Sequence, residues 1–186
     1  MSALRVFLVG PRGSGKSTVA RLLADALGWS WIDADAVVER IAGLSIRDIF
    51  AAEGEAGFRR READALAELC RLEAHVIATG GGVVLRAENR DLLKRYGVVV
   101  WLTGDLDTLW GRIDGDATTA ARRPTLTVGG RDEVAELIAA REPLYRDCAN
   151  LTIDTTGRTP GEIVAEVRGR IALEGAAERC SEDLTP

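Results

Sequence analysis

The segment LVGPRGSGKST, residues 8–18, combines glycines, a lysine and hydroxyl side chains in a spacing that binds phosphate. It matches the pattern G-x-x-x-x-G-K-[ST] between an apolar run and a stretch of helical periodicity. Glycines there let backbone N–H groups turn toward phosphate oxygens, and the following helix contributes the positive end of its dipole. We therefore predict a nucleotide-phosphate site formed by Gly13, Ser14, Gly15, Lys16, Ser17 and Thr18.

Lys16 stands out because the chain has only two lysines against 22 arginines. A compact ammonium group fits among crowded phosphate oxygens better than a planar guanidinium does. The motif predicts that Lys16 reaches the β- and γ-phosphates and that Ser17 offers its hydroxyl to Mg²⁺. The sequence carries no N-K-x-D-like guanine signature, which favours ATP over GTP.

A pair of acids, Asp33 and Asp35, ends the second strand-like run. Acids one residue apart at a strand end can divide the work of a phosphoryl transfer. One would lie near the metal and the other near the attacking hydroxyl. The alternative is a solvated strand end or a helix N-cap.

Further candidates are arginines and glycines. The segment FRRRE contains Arg59 and Glu62, and it predicts either a clamp for an anionic substrate or a solvated helix face, since arginine pairs bidentately with carboxylates. The glycine run 80–82 permits close approach of the backbone to a ligand. Arg122 and Arg123 lie in a segment without apolar periodicity, where a lid could deliver an arginine to the transferring phosphoryl group.

Alternating strands and helices must position these residues. Apolar runs predict strands at residues 4–10, 29–33, 75–82, 97–104 and 150–156. Residues 34–73 are predicted to be mostly helical with breaks near Gly43 and Gly54, and Pro143 predicts a break in a long helix just after Arg141. Continuous apolar strands between helices indicate an α/β fold with a parallel sheet covered on both faces. Ligands bind at the carboxyl ends of such strands.

Composition bounds the class of protein. The 186 residues, 46% hydrophobic and 28% charged, suit a single soluble domain, and we expect it to span residues 1–174 with a disordered tail over 175–186. The net charge of −5 argues against nucleic acid as a partner, and no run is long enough to cross a membrane. The apolar start leads directly into the glycine loop and does not resemble an export signal, so we expect a cytoplasmic protein with free thiols.

The glycine loop, the D-A-D pair, SIRDIF…GE…FRRRE, ATGGGVVL, RRPTL and REPLY occur in the order and spacing of shikimate kinases. The chain resembles this family, especially its type II form, over about residues 4–173. The resemblance implies a nucleoside-monophosphate-kinase-like P-loop NTPase fold with a five-stranded parallel sheet. It also implies a substrate-binding insert at about 34–62 and a mobile lid at about 112–130. The implied reaction moves the ATP γ-phosphoryl group to the 3-hydroxyl of shikimate.

The resemblance also assigns roles. Asp35 would contact the shikimate hydroxyls and act as the base, while Asp33 would help to hold Mg²⁺ through water beside Ser17. The implied substrate-binding residues besides Asp35 are Arg59, Gly81 and Arg141, with Glu62 orienting Arg59 and with Phe50 and Phe58 as an apolar wall. The remaining implied roles are those of Arg123 as the lid arginine and of Arg112 and Arg158 beside adenine.

Two other functions remain open at this stage. A kinase of another small hydroxy acid, such as gluconate, would share the loop and the fold, but it would not need the D-A-D, FRRRE and triple-glycine segments together. A regulatory ATP-binding domain would transfer no phosphoryl group. Turnover of ATP with shikimate, with gluconate and without an acceptor separates the three. For a shikimate kinase, we expect ATP and shikimate as the only partners, and we expect the protein to be a monomer.

Overall fold

The structure is a computed structural model that describes residues 5–115 and 130–182, with side chains described as far as residue 173. The strands are β1 (Arg5–Val9), β2 (Ser30–Asp33), β3 (His75–Ala78), β4 (Val98–Thr103) and β5 (Leu151–Asp154). The helices are α1 (Lys16–Leu27), α2 (Ala34–Ala42), α3 (Ile46–Leu69), α4 (Ala87–Tyr96), α5 (Leu106–Asp114), α6 (Gly130–Cys148) and α7 (Pro160–Glu182). A short 3₁₀ helix spans Val83–Leu85.

The strands form one five-stranded sheet in the order β2-β3-β1-β4-β5, and every neighbouring pair is parallel. In the centre of the sheet, Leu8 of β1 pairs with Ala78 on one side and with Val100 on the other. Parallel pairing brings all the carboxyl ends to one edge, so the segments that follow the strands converge there. The predicted α/β architecture is confirmed.

Alternate residues of the central strands enter two separate hydrophobic cores, one on each face of the sheet. Phe7 and Val9 belong to the core that packs against α2, α3 and α4, whereas Val6 and Leu8 belong to the core beneath α1 and α7. All four side chains are fully buried. Because both faces are covered, the strands read as continuous apolar runs instead of an alternating pattern.

The two predicted helix breaks are present, and glycines with positive φ make both. Gly43 ends α2 with a φ of 64°. Ser45 then caps α3 by accepting a hydrogen bond from the Asp48 N–H. Gly54 interrupts α3 with φ of 66° and ψ of −172°, which is a kink within the helix. The kink divides α3 into two parts, and Arg59 lies on the second.

One local expectation is wrong. α6 runs unbroken through Pro143, since a proline removes only one helical hydrogen bond and the buried Tyr145 and Cys148 hold the following turn against the core. The final helix extends to Glu182. The predicted extent of the domain and of its tail stays a prediction. The predicted lid arginines, Arg122 and Arg123, lie outside the described residues.

Candidate active site

The phosphate loop joins β1 to α1 and depends on glycine at several positions. Gly10, Gly13 and Gly15 have φ values of 140°, 79° and 85°. A Cβ atom at Gly10 would lie 2.2 Å from the Leu102 carbonyl oxygen, and one at Gly13 would lie 2.5 Å from the Leu109 carbonyl oxygen. The loop is therefore packed tightly against neighbouring backbone. Gly15 precedes α1 and provides no side-chain cap. The N–H groups of the first helical turn can therefore bind an anion.

Lys16 folds back over this loop. Its ammonium group donates hydrogen bonds to the carbonyl oxygens of Gly10, at 2.9 Å, and Pro11, at 2.8 Å. The buried Ser14 hydroxyl also donates to the Pro11 carbonyl, at 2.8 Å. The one lysine in the loop is thus held at its centre, where it can exchange backbone carbonyls for phosphate oxygens.

The two acids at the end of β2 are coupled to the phosphate loop. The Ser17 hydroxyl donates to Oδ2 of Asp33 at 2.9 Å, and Oδ1 of Asp33 accepts the Asp35 N–H at 3.0 Å. Asp33 is the N-cap of α2, which confirms the N-cap interpretation, while its place near a metal ion stays a prediction. Asp35 occupies the first turn of α2 and is half-buried.

The donor set around Ser17 and Asp33 fits Mg²⁺, because hydroxyl and carboxylate oxygens are hard ligands. Among the side chains that the structure describes, no group of three or more His, Cys, Asp or Glu could hold a metal by itself. Mg²⁺ commonly binds through one or two carboxylates, waters and substrate phosphates, and this site offers what that mode requires.

Arg59 lies in a network of acidic and aromatic groups. Its Nη1 donates to Glu62 at 2.8 Å, its Nη2 donates to Glu55 at 3.0 Å, and its guanidinium lies 5.2 Å from the centre of the Phe58 ring. Burial opposes the positive charge, but the carboxylates of Glu62 and Glu55 outweigh burial, so the pKa of Arg59 lies above its ordinary value. Phe50 stacks on Phe58 at a centroid distance of 4.7 Å, which extends the apolar side of the site.

The glycine run after β3 connects the substrate side to the phosphate loop. A Cβ atom at Gly81 would lie 3.4 Å from the Gly10 carbonyl oxygen, so the two loops touch. Nη1 of Arg141 lies 3.4 Å from the Gly81 carbonyl oxygen, and the Tyr145 hydroxyl donates to the same oxygen at 2.5 Å. A pocket lies between the phosphate loop and α6, lined by Pro11, Arg12, Val134, Leu137, Ile138, Arg141 and Tyr145.

The two arginines predicted to lie beside adenine converge on the segment after β5. Arg112 donates to the Gly13 carbonyl oxygen at 3.3 Å and to the Thr155 hydroxyl and carbonyl oxygens at 3.0 Å each. The Arg158 N–H also reaches the Thr155 carbonyl oxygen, at 3.3 Å, while its side chain pairs with Glu166 at 2.6 Å. Arg112 is therefore in contact with the phosphate loop, whereas the side chain of Arg158 turns toward α7.

The sequence analysis did not predict the contacts that three residues make in this site. Glu55 was open to prediction, since it stands four residues before Arg59 in a helix and such pairs face one another. The contacts of Tyr145 with Gly81 and of Gly82 with Arg59 could not be predicted in this way, because they join segments that are far apart in the chain. Arg123 lies outside the described residues, so its relation to the phosphate loop stays a prediction. None of the described helices is long and apolar enough to cross a membrane.

Comparison with known proteins gives a consistent result. The family model for shikimate kinase matches residues 12–172. The chain is 51% identical over 163 residues to a shikimate kinase of Rhodopirellula baltica, covering 87% of each. It is 45% identical over 175 residues to one of Symbiobacterium thermophilum, covering 92% of this chain and 98% of that protein.

Solved structures agree with the sequence comparison. Shikimate kinase from Acinetobacter baumannii in complex with shikimate superposes with a TM-score of 0.86 and 38% identity, over 93% of this chain and 96% of that one. A gluconokinase from Sinorhizobium meliloti superposes with a TM-score of 0.60 and 19% identity, over 99% of both chains. The second likeness concerns the fold alone.

Proposed function

The chain belongs to the shikimate kinase family, and we propose that it transfers the γ-phosphoryl group of ATP to the 3-hydroxyl group of shikimate. One geometric observation carries the proposal at the level of residues. Two arginines from separate helices, Arg59 and Arg141, meet at a glycine run that touches the phosphate loop. A small carboxylate held there would have its hydroxyl groups beside the nucleotide phosphates.

The phosphate loop would bind the triphosphate of ATP. Its N–H groups and the start of α1 neutralise phosphate charge, and Lys16 bridges the β- and γ-phosphates once it leaves its carbonyl partners. Ser17 and Asp33 would hold Mg²⁺ together with phosphate oxygens and water. When bound, the metal ion neutralises charge on the β- and γ-oxygens.

Asp35 would be the general base. The 3-hydroxyl oxygen forms a bond to the γ-phosphorus while the bond from that phosphorus to the bridging oxygen breaks, and ADP leaves. The hydroxyl proton passes to the Asp35 carboxylate. The position of Asp35 supports this role, since its own N–H is bonded to Asp33, which is in turn bonded to the phosphate-loop Ser17.

The arginine pair would recognise the carboxylate of the acceptor. Guanidinium groups bind carboxylates through paired hydrogen bonds, and the pair lies in a partly buried place where such bonds are strengthened. Gly81 would touch the substrate through its backbone, while Phe50 and Phe58 would cover the apolar face of the ring. An uncharged acceptor would lose the main source of binding energy.

Closure of the proposed lid over the bound substrates would complete the site. We propose that Arg123 comes from a lid over residues 112–130 to the transferring phosphoryl group, and that Arg112 and Arg158 flank adenine. Excluding water in this way would protect ATP from hydrolysis. ATP and shikimate are the expected small-molecule partners, and an ATP-dependent biosynthetic step supports the expectation of a cytoplasmic protein.

A coupled assay of ADP release tests the function directly. We expect Mg²⁺-dependent turnover with shikimate, little with gluconate and little without an acceptor. Preference for gluconate would indicate another small hydroxy-acid kinase. ATP binding without turnover on any acceptor would indicate a regulatory nucleotide-binding domain.

A further inference from the structure

The Gly81–Gly82 peptide contacts both arginines of the proposed carboxylate clamp. Arg141 reaches the Gly81 carbonyl oxygen. The guanidinium of Arg59 lies against Gly82, where an added Cβ atom would be 2.4, 2.5 and 2.6 Å from Nη1, Nη2 and Cζ. Both charged groups are therefore in contact with this one peptide.

Gly82 is required here for space and not for backbone conformation. Its φ is −103°, a value that every amino acid adopts readily. The atoms that a side chain would meet belong to Arg59, whose side chain is only 13% exposed and whose guanidinium is bound to the buried Glu62 at 2.8 Å. Because Glu62 holds the guanidinium in this place, a methyl group at position 82 would force the guanidinium to move and would disturb its ion pair.

Tyr145 holds the other end of the same peptide. Its hydroxyl donates to the Gly81 carbonyl oxygen at 2.5 Å, and it stands one helical turn after Arg141 on α6. The ring is 1% exposed and stacks on Trp101 with a centroid distance of 5.8 Å and an interplanar angle of 21°. A hydroxyl on a ring fixed in this way has little freedom, so the carbonyl oxygen that it binds is fixed as well.

We propose that Tyr145 and Gly82 are positioning residues that set the spacing of Arg59 and Arg141 and thereby the affinity for the substrate carboxylate. This inference rests on the proposed function. Neither residue takes part in the chemical step. Burial raises the pKa of Tyr145 to about 12, so the hydroxyl remains a neutral donor to Gly81 at the pH of any ordinary assay.

The first test is Tyr145→Phe, which removes the hydroxyl and keeps the stacked ring. Losing one buried hydrogen bond should raise the KM for shikimate roughly three- to tenfold while kcat and the KM for ATP stay within about twofold. With shikimate methyl ester, which has no charge for the arginines to read, the variant and the parent should differ little. The matched control is Tyr96→Phe, since Tyr96 is the other of the two tyrosines and is 36% exposed.

The second test is Gly82→Ala, combined with Arg59→Ala in a double-mutant cycle. Alone, Gly82→Ala should raise the KM for shikimate roughly tenfold or more, because a charge-assisted pair is disturbed. In the Arg59→Ala background it should add almost nothing, since the group that it displaces is gone. Gly169→Ala is the matched control, because a Cβ atom there meets nothing within 4 Å.

The outcomes are distinct. An unchanged KM in Tyr145→Phe, or an equal penalty of Gly82→Ala with and without Arg59, overturns the inference while leaving the proposed function in place. Absence of shikimate turnover in the parent protein overturns the proposed function. In that case a crystal structure of Gly82→Ala still decides the steric step: the guanidinium must leave Glu62, and the inference is wrong if it stays.

Discussion

At the scale of the single residue, Asp33 links two parts of the site through one carboxylate. One of its oxygens accepts the Ser17 hydroxyl of the phosphate loop, and the other caps α2 by accepting the Asp35 N–H. The candidate base is therefore tied to the phosphate loop through Asp33 by two hydrogen bonds. A substitution at Asp33 would disturb the loop, the cap and the base together, which makes it a poor tool for separating their roles.

Asp35→Asn is the sharper substitution. Asparagine is nearly the same size and can occupy the first turn of α2, but it cannot accept the hydroxyl proton. We expect kcat to fall about 10²–10⁴-fold, the usual worth of general-base catalysis, while the Kd for ATP measured by calorimetry changes little. A fall of less than about tenfold would show that Asp35 positions the acceptor and does not take its proton.

At the scale of the element, the kink in α3 sets the direction of the helical turn that carries Arg59. Gly54 has φ of 66° and ψ of −172°, a combination that is almost restricted to glycine. A Cβ atom there would meet nothing within 4 Å, so a larger residue would be opposed by backbone strain and not by crowding. The first part of α3 and the part with Arg59 therefore depend on this one residue for their relative angle.

Gly54→Ala should consequently affect stability and substrate binding together. Strain of this kind is of the order of 1–3 kcal/mol, which would lower the Tm by several degrees in a chain of this size. The KM for shikimate should rise, since relief of the strain by straightening α3 would move Arg59. Thermal unfolding and steady-state kinetics measure the two effects. If both the Tm and the KM are unchanged, an alanine side chain at position 54 neither strains the backbone nor moves Arg59.

The same helices show what could be predicted from sequence. The breaks at Gly43 and Gly54 were predictable because glycine with positive φ is a local property of the chain. The continuity of α6 through Pro143 was not, because it depends on Tyr145 and Cys148 being buried against the core. Roles that arise from contact between distant segments, such as that of Gly82 against Arg59, can be recognised only once the folded structure is known.

The segment predicted to form the lid contains two neighbouring arginines, which allows a direct comparison. Arg123 precedes Pro124, whose ring favours an extended backbone at Arg123 and would help to aim its side chain. We expect Arg123→Ala to reduce kcat far more than it raises the KM for shikimate, by up to about 10³–10⁵-fold if it acts as an arginine finger. Arg123→Lys should restore only part of the rate, because an ammonium cannot bind two oxygens in one plane.

Arg122→Ala is the internal control for this pair and should have a mild effect. If Arg122→Ala is the damaging change and Arg123→Ala is mild, the assignment is off by one residue. If both are mild, the segment controls access to the site but contributes no charge to the transition state.

At the scale of the whole molecule, the site is a consequence of parallel pairing. The phosphate loop, the acid pair, the glycine run and the segment around Thr155 follow β1, β2, β3 and β5, whose carboxyl ends lie along one edge of the sheet. Helices on both faces bury the strands and leave that edge as the place where polar side chains gather. Tyr145 connects the site to the core, since it binds the glycine run and packs against Trp101 of β4.

Three buried acidic groups should make the folded protein less stable at alkaline pH. Burial raises the pKa of Cys70 and of Cys148 to about 11, and that of Tyr145 to about 12, from ordinary values of 9.0 for the thiols and 10.0 for the phenol. Above pH 9 the unfolded chain therefore releases protons that the folded chain retains. By linkage the free energy of unfolding falls as the pH rises from about 9 toward 12, by up to about 1.4 kcal/mol per pH unit for each group.

Urea unfolding under reducing conditions at pH 8, 9, 10 and 10.5 measures this loss, and the tyrosines again provide a matched pair. Above pH 10, Tyr145→Phe should show a shallower decline than the parent, because one of the three buried acids is gone. Tyr96→Phe should decline as the parent does, since Tyr96 is partly exposed and its substitution leaves all three buried groups in place. A free energy of unfolding that stays constant from pH 8 to 10.5 would mean that these groups ionise in the folded protein as readily as in the unfolded chain.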